Sequence, residues 1–119
     1  PSAEGGRGYE KIRPNPNEKI FLKNYNSAFK ETNLHEYLKS KDINELIITG
    51  MQTDYCIDTT VKVAFECGFK LIIPEKTNTT FDNGNISAEG LYNHYNFNIF
   101  NNRFGTVTPI ENTIKKIKE

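Results

Sequence analysis

The sequence has no net charge and no long apolar run, and each absence excludes a class of partner. Fifteen Lys and Arg side chains balance fifteen Asp and Glu side chains, so there is no electrostatic case for binding nucleic acid or an anionic membrane. No run approaches the roughly 18 apolar residues of a membrane-spanning helix. Residues 1–19 lack the apolar core of a signal peptide. We expect one domain over residues 1–119, with residues 1–19 as a looping or extended lead-in.

Cysteine is scarce, with Cys56 and Cys67 as its two occurrences. Both fall in one predicted helix, where eleven residues correspond to a rise of about 16 Å. A disulfide needs Cα atoms within roughly 7 Å, so the two cannot bond to each other. Free thiols favour a reducing compartment, and we therefore expect a cytoplasmic protein. No Cys or His pair has zinc spacing, and no cofactor is predicted.

Strand-like and helix-like segments alternate along the chain. The predicted strands are KIFLK (19–23), ELIIT (45–49), FKLII (69–73) and GTVT (105–108). The predicted helices are TNLHEYLKS (32–40), residues 54–67, a segment that opens at Ser87, and IENTIKKIK (110–118). Residues 75–85, EKTNTTFDNGN, are predicted to form a polar loop. The order β-α-β-α-β-α-β-α predicts an α/β fold with a parallel sheet covered by helices on both faces.

The helix over residues 54–67 has a clear apolar face. Ile57, Val61, Ala64 and Phe65 follow the i, i+4, i+7, i+8 spacing, and Gly68 is predicted to end the helix. Cys56 lies in the first turn, six residues after Gly50.

The position of Cys56 admits two interpretations. Sites in parallel α/β sheets form beyond the carboxyl ends of the strands. The unpaired N–H groups of a helix start there would favour a thiolate and could bind an oxyanion. A small, buried and inert cysteine is the alternative, since cysteine is often simply buried. Position alone leaves both open.

Two blocks of sequence together resemble a family. The stretch LIITGMQTDYCIDTTVKVAFECGF, and upstream IFLKNYNSAFKETNLHEYL, are similar to the isochorismatase-like cysteine hydrolases, which include nicotinamidases and N-carbamoyl amide hydrolases. The resemblance covers roughly residues 5–110 and implies a Rossmann-like α/β fold. It also implies an Asp–Lys–Cys triad, in which Cys56 takes the role of the nucleophile and Lys23 that of the lysine.

The same resemblance implies further site residues. A non-proline cis peptide would fall at Met51–Gln52 and aim an amide at the oxyanion, with Tyr55 beside it. Phe29 and Tyr55 could line the substrate pocket, although aromatic core packing is nearly as good an interpretation. Asp54 is a possible pocket residue, but an acidic residue at a helix start is usually a cap or a partner of the helix dipole.

The aspartate of the family's triad has no counterpart in residues 1–19. The chain resembles the C-terminal two-thirds of such an enzyme, and in the family's 3-2-1-4-5-6 strand order the missing strands would lie between KIFLK and ELIIT. We therefore expect the N-terminal segment of the same protein to be a partner that activity needs. The metal-ligand region of the nicotinamidase branch is missing as well, so no metal is assigned.

The resemblance implies a hydrolase that cleaves a small amide or carbamoyl C–N bond through a Cys56 thioester, and a homo-oligomer. The alternative is a non-catalytic remnant or regulatory domain that retains the fold and the pocket. The missing aspartate favours that alternative.

Overall fold

Residues 13–119 form two small parallel sheets and their covering helices in a computed structural model. The strands are β1 (Glu45–Ile47), β2 (Gly50–Met51), β3 (Lys70–Pro74), β4 (Asn78–Thr79) and β5 (Thr106–Thr108). The helices are α1 (Leu34–Ser40), α2 (Asp58–Glu66), α3 (Ala88–Asn93) and α4 (Ile110–Lys118). Two π-helical turns adjoin them, Thr53–Ile57 before α2 and His94–Phe100 after α3.

The larger sheet has the strand order β1-β3-β5, with every pair parallel. Leu46 lies opposite Leu71, and Ile73 lies opposite Val107. In the smaller sheet, β2 pairs with β4 in parallel. The predicted parallel α/β fold is thus confirmed, and the segments ELIIT, FKLII and GTVT lie side by side in the larger sheet.

The core forms around the central strand β3. Leu71 and Ile73 are almost fully buried, as expected of an apolar run in a strand paired on both sides. Val61 and Ala64 of α2 are completely buried in the same cluster, and each large apolar side chain there contributes about 1.5–3 kcal/mol through burial. Phe65, predicted for the same helix face, is instead 44% exposed. It lies at the edge of the stripe, where its ring meets Phe104 edge-on.

The prediction of a strand at KIFLK is wrong for the described structure. Residues 19–23 have no regular secondary structure and pair with no strand of residues 13–119, and Ile20 and Leu22 are 60% and 83% exposed. A strand exists only through its hydrogen-bonded neighbour, and β1, whose one partner in the described part is β3, does not reach this segment. Of the predicted lead-in, residues 1–12 lie outside the described residues, and residues 13–19 form a turn closed by Glu18 N and Asn15 O.

The helix boundaries largely follow the sequence signals. Ser87 caps α3, with its hydroxyl accepting a hydrogen bond from Gly90 N at 3.0 Å. Gly68 ends α2 with φ of +93°, a conformation that glycine adopts without steric cost. Within residues 13–119, no helix combines the length and apolar character needed to cross a bilayer.

Candidate active site

The π-helical turn Thr53–Ile57 carries Cys56 at the start of α2. The turn is closed by the carbonyl of Gln52, which accepts hydrogen bonds from Tyr55 N and Ile57 N at 3.2 and 2.9 Å. Thr53 and Ile57 are buried at its two ends, whereas Cys56 is half-buried. The wide turn thus fixes the backbone to the core and leaves the thiol accessible.

Lys23 meets Cys56 directly, although 33 residues separate them. The Lys23 Nζ lies 3.3 Å from Cys56 Sγ, 2.9 Å from the Tyr25 carbonyl oxygen and 3.2 Å from the Asn26 carbonyl oxygen. An ammonium in this position stabilises a thiolate electrostatically. The structure therefore brings together the two residues that the resemblance assigned to the triad.

The segment that carries Lys23 is attached to α2. Ala28 N donates a hydrogen bond to Thr60 Oγ1 at 3.0 Å, one turn beyond Cys56 on the helix. We call residues 19–31 the lysine arm. Within it, Lys30 Nζ lies 4.2 Å from the centre of the Tyr25 ring. The pKa of Tyr25 is raised, mainly by a hydrogen bond with Glu31 and to a smaller extent by desolvation.

The peptide bond between Met51 and Gln52 is cis, so the cis bond that the resemblance implied is confirmed. It follows Gly50, whose φ of +126° is a conformation that glycine adopts readily and other residues rarely do. Met51 is 51% exposed and Gln52 is half-buried. Their predicted participation in an oxyanion site stays a prediction.

Asp54 and Tyr55 are tied to the loop that follows β4. One carboxylate oxygen of Asp54 accepts a hydrogen bond from the Thr80 hydroxyl, and the other accepts from Asn83 Nδ2 at 3.3 Å. Asn83 Nδ2 also donates to the Tyr55 hydroxyl oxygen at 3.2 Å. Both side chains thus anchor the loop to the π-helical turn Thr53–Ile57, while Tyr55 remains 49% exposed.

Phe29 is half-buried and packs against the hydrophobic core. Its ring stacks on Phe69 at 6.1 Å between centroids and meets His35 edge-on. It also lines an open apolar groove of about 250 Å³ with residues of α1 and with residues 46–49 of β1 and its continuation. The structure therefore favours the core interpretation of Phe29 that the sequence left open.

Sequence reasoning missed a buried polar network that includes Thr53 of the π-helical turn Thr53–Ile57. Thr53 Oγ1 donates to Asn78 Oδ1 at 2.7 Å, and Asn78 and Asn96 exchange two hydrogen bonds at 2.8 and 2.9 Å. All three residues are at most 1% exposed. Residues 75–85 are thus not simply a polar loop, because Asn78 lies in β4 and its polarity serves a buried partner. No local pattern marks such a pairing, since its members are far apart in sequence.

Sequence reasoning also missed Asn26. Its Oδ1 lies 3.7 Å from Cys56 Sγ, within the range of a weak S–H···O hydrogen bond.

Among residues 13–119, no group of three or more His, Cys, Asp or Glu side chains is arranged to hold a metal ion. Cys56 and Cys67 are both free, as their spacing predicted.

The fold and this geometry first define a class: a parallel α/β protein with a thiol at a helix start, in contact with a lysine ammonium. The family model of the isochorismatase domain matches residues 1–112. The chain belongs to the isochorismatase family.

Individual relatives agree with this assignment. The uncharacterized isochorismatase family protein YddQ of Bacillus subtilis is 30% identical over 97% of this chain and 66% of its own length. The N-carbamoylsarcosine amidase of an Arthrobacter species is 41% identical over 57% of this chain and 26% of its own length. The crystal structure of a cysteine hydrolase from Pseudomonas syringae pv. phaseolicola superposes with a TM-score of 0.88 and 25% identity, over 92% of this chain and 54% of that one. The chain thus spans about a quarter to two-thirds of these relatives.

Proposed function

We propose that the protein hydrolyses the C–N bond of a small amide or carbamoyl compound, with Cys56 as the nucleophile. The observation that carries this proposal is the 3.3 Å contact between Lys23 Nζ and Cys56 Sγ. An ammonium next to a half-exposed thiol at a helix start is an arrangement that activates a cysteine. The names of relatives give the substrate class, since N-carbamoylsarcosine amidase, ureidoacrylate amidohydrolase and nicotinamidase all act on such compounds.

The proposed reaction has two steps. The Cys56 thiolate attacks the carbonyl carbon, the C–N bond breaks, and the amine or ammonia leaves with a proton. Water then attacks the thioester carbon, the C–S bond breaks, and the acid and the free thiol are released. In both steps the negative charge develops on the carbonyl oxygen. Backbone N–H groups at the Met51–Gln52 peptide and in the turn around Tyr55 are the proposed donors to it, apart from the Tyr55 N–H itself, which donates to the Gln52 carbonyl oxygen at 3.2 Å.

The proton transfers need an acid or base that residues 13–119 do not place at Cys56. Asp54 and Asp58 are each two residues from Cys56 in sequence, and both have other partners. Both oxygens of Asp54 are engaged by Thr80 and Asn83, and Asp58 Oδ1 forms an ion pair with Lys62 Nζ at 2.8 Å. We propose that an aspartate on an N-terminal segment of the same protein supplies this group. Two features support docking of that segment as a further parallel strand: the edge of β1 that no strand of residues 13–119 pairs with, and the apolar groove between β1 and α1.

Two further properties are proposed from the surface and the thiols. The apolar stripe Ile110, Ile114 and Ile117 of α4 is 39%, 45% and 66% exposed, which supports a homo-oligomer, measurable by light scattering. The free thiols of Cys56 and Cys67 support a cytoplasmic location.

A non-catalytic role is the second candidate. It is favoured by the lack of a third proton-transferring side chain at Cys56 within the described part of the chain. In such a protein the cysteine and the lysine would remain as parts of a ligand pocket.

Ammonia release from a panel of nicotinamide, N-carbamoylsarcosine and ureidoacrylate tests the proposal on the full-length protein. We expect turnover of at least one compound, its loss in Cys56→Ala, and its retention in the matched control Cys67→Ala. Full turnover by Cys56→Ala would refute the covalent mechanism. No turnover by the wild type, together with equally slow alkylation of both cysteines, would favour the non-catalytic role.

A further inference from the structure

Two side chains of one short segment, residues 23–26, contact the sulfur of Cys56. Lys23 Nζ contacts the sulfur at 3.3 Å, the Asn26 carbonyl oxygen accepts from Lys23 at 3.2 Å, and Asn26 Oδ1 lies 3.7 Å from the sulfur. Asn26 therefore binds both members of the reactive pair, its backbone contacting the ammonium and its side chain the thiol.

Lys23 alone does not fill the hydrogen-bonding capacity of a Cys56 thiolate. An ammonium has three N–H groups, and those of Lys23 have three partners: the carbonyl oxygens of Tyr25 and Asn26, and Cys56 Sγ. Lys23 thus gives the sulfur one hydrogen bond, whereas a thiolate accepts more than one. Among residues 13–119, the second side chain in contact with the sulfur is Asn26.

A carboxamide suits both protonation states of the sulfur. When Cys56 is a thiol, its S–H donates to Asn26 Oδ1, as the structure has it. When Cys56 is a thiolate, rotation about the Cβ–Cγ bond turns Asn26 Nδ2 toward the sulfur, and its N–H becomes a donor. No partner within residues 13–119 holds Nδ2 in place, and Asn26 is exposed, so the rotation breaks no other hydrogen bond of the described structure.

We propose that Asn26 is a third catalytic side chain, which hydrogen-bonds the reacting sulfur of Cys56 and stabilises its thiolate. This inference rests on the proposed nucleophilic function of Cys56. Asn26 would thus be a neutral hydrogen-bond donor to the sulfur beside the charged donor Lys23, and both residues lie in the lysine arm. Because Asn26 and Lys23 share that arm, both reach the sulfur together.

The test is the pH profile of alkylation by iodoacetamide, read separately at Cys56 and Cys67 by peptide mass spectrometry. We expect Asn26→Ala to slow alkylation of Cys56 at neutral pH by about threefold to tenfold and to move the profile to higher pH. Asn26→Asp should slow it further, because a carboxylate repels the thiolate. Cys67 is the internal control, and Asn24→Ala, an exposed asparagine of the same segment, is the matched control variant.

The two substitutions separate this role from a structural one. If Asn26 only maintained the shape of the arm, the isosteric Asp would behave more like the wild type than Ala does, and the proposal would be overturned. A fast Cys56 in the wild type with an unchanged profile in Asn26→Ala would overturn it too, while leaving the hydrolase proposal standing. A wild-type Cys56 no faster than Cys67 would overturn both. Thermal melts confirm that each variant is folded.

Discussion

The buried amide pair of Asn78 and Asn96 permits a quantitative prediction. Replacing Asn96 by Ala removes its two hydrogen bonds with Asn78, at 2.8 and 2.9 Å, and a third to the Tyr92 carbonyl oxygen, at 2.9 Å. It also leaves Asn78 Nδ2 buried without its partner, since Asn78 is 1% exposed. Each net hydrogen bond contributes about 1 kcal/mol, and a buried unsatisfied donor costs about 1–3 kcal/mol. The three lost hydrogen bonds and the stranded donor together predict a loss of about 4–6 kcal/mol in the free energy of unfolding.

Urea denaturation, followed by circular dichroism, measures this loss. The matched control is Asn98→Ala in the same π-helical turn, because Asn98 is exposed and its one side-chain hydrogen bond among residues 13–119 is with His94, at 3.4 Å. The control should change the free energy of unfolding by less than about 0.5 kcal/mol. Equal values for the two variants, or a loss below about 1 kcal/mol for Asn96→Ala, would refute the idea that this network holds the turn below Cys56.

Two further predictions concern the arm and the sheet. Lys23→Met should slow alkylation of Cys56 at neutral pH about tenfold, whereas Lys30→Met in the same arm should not. Equal rates for the two variants would show that Lys23 does not activate Cys56. Gly105→Ala should cost about 1–3 kcal/mol in thermal unfolding, because its Cβ would lie 2.8 Å from the Leu71 carbonyl oxygen. Gly90→Ala, whose Cβ would first meet the Ser87 side-chain hydroxyl at 3.2 Å rather than backbone, is its control, and a similar melting temperature for both would contradict the packing argument.

Local patterns predicted the parts of the fold that depend on local physics. The apolar run of β3, the stripe of α2, the Ser87 cap and the end of α2 at Gly68 all follow from residue types at short spacing. KIFLK failed because a strand depends on a partner far away in sequence, and the described residues provide none for it. The π-helical turns were missed because they share the composition of α-helices.

The site shows the same division. The sequence pattern placed Cys56 at a helix start, but nothing local joins it to Lys23, and only the resemblance to a family made that pairing predictable. Asn26 carried no signal, because an asparagine in a run of bends is typical of any loop. Its contact with the sulfur depends on how the lysine arm lies on α2, which is a property of tertiary packing.

The attachment of the lysine arm has a consequence for the newly made chain. The thiol belongs to a turn rooted in the core by Thr53 and Ile57, whereas the ammonium arrives on an arm held to α2 by contacts such as that between Ala28 and Thr60. A molecule whose core has formed but whose arm is still detached carries an ordinary cysteine. Under the proposed function, such a molecule would be less open to oxidation than one with the arm in place, because the lysine that stabilises the thiolate would be absent. Docking of the arm would then be the step at which the proposed nucleophile acquires both its reactivity and its vulnerability.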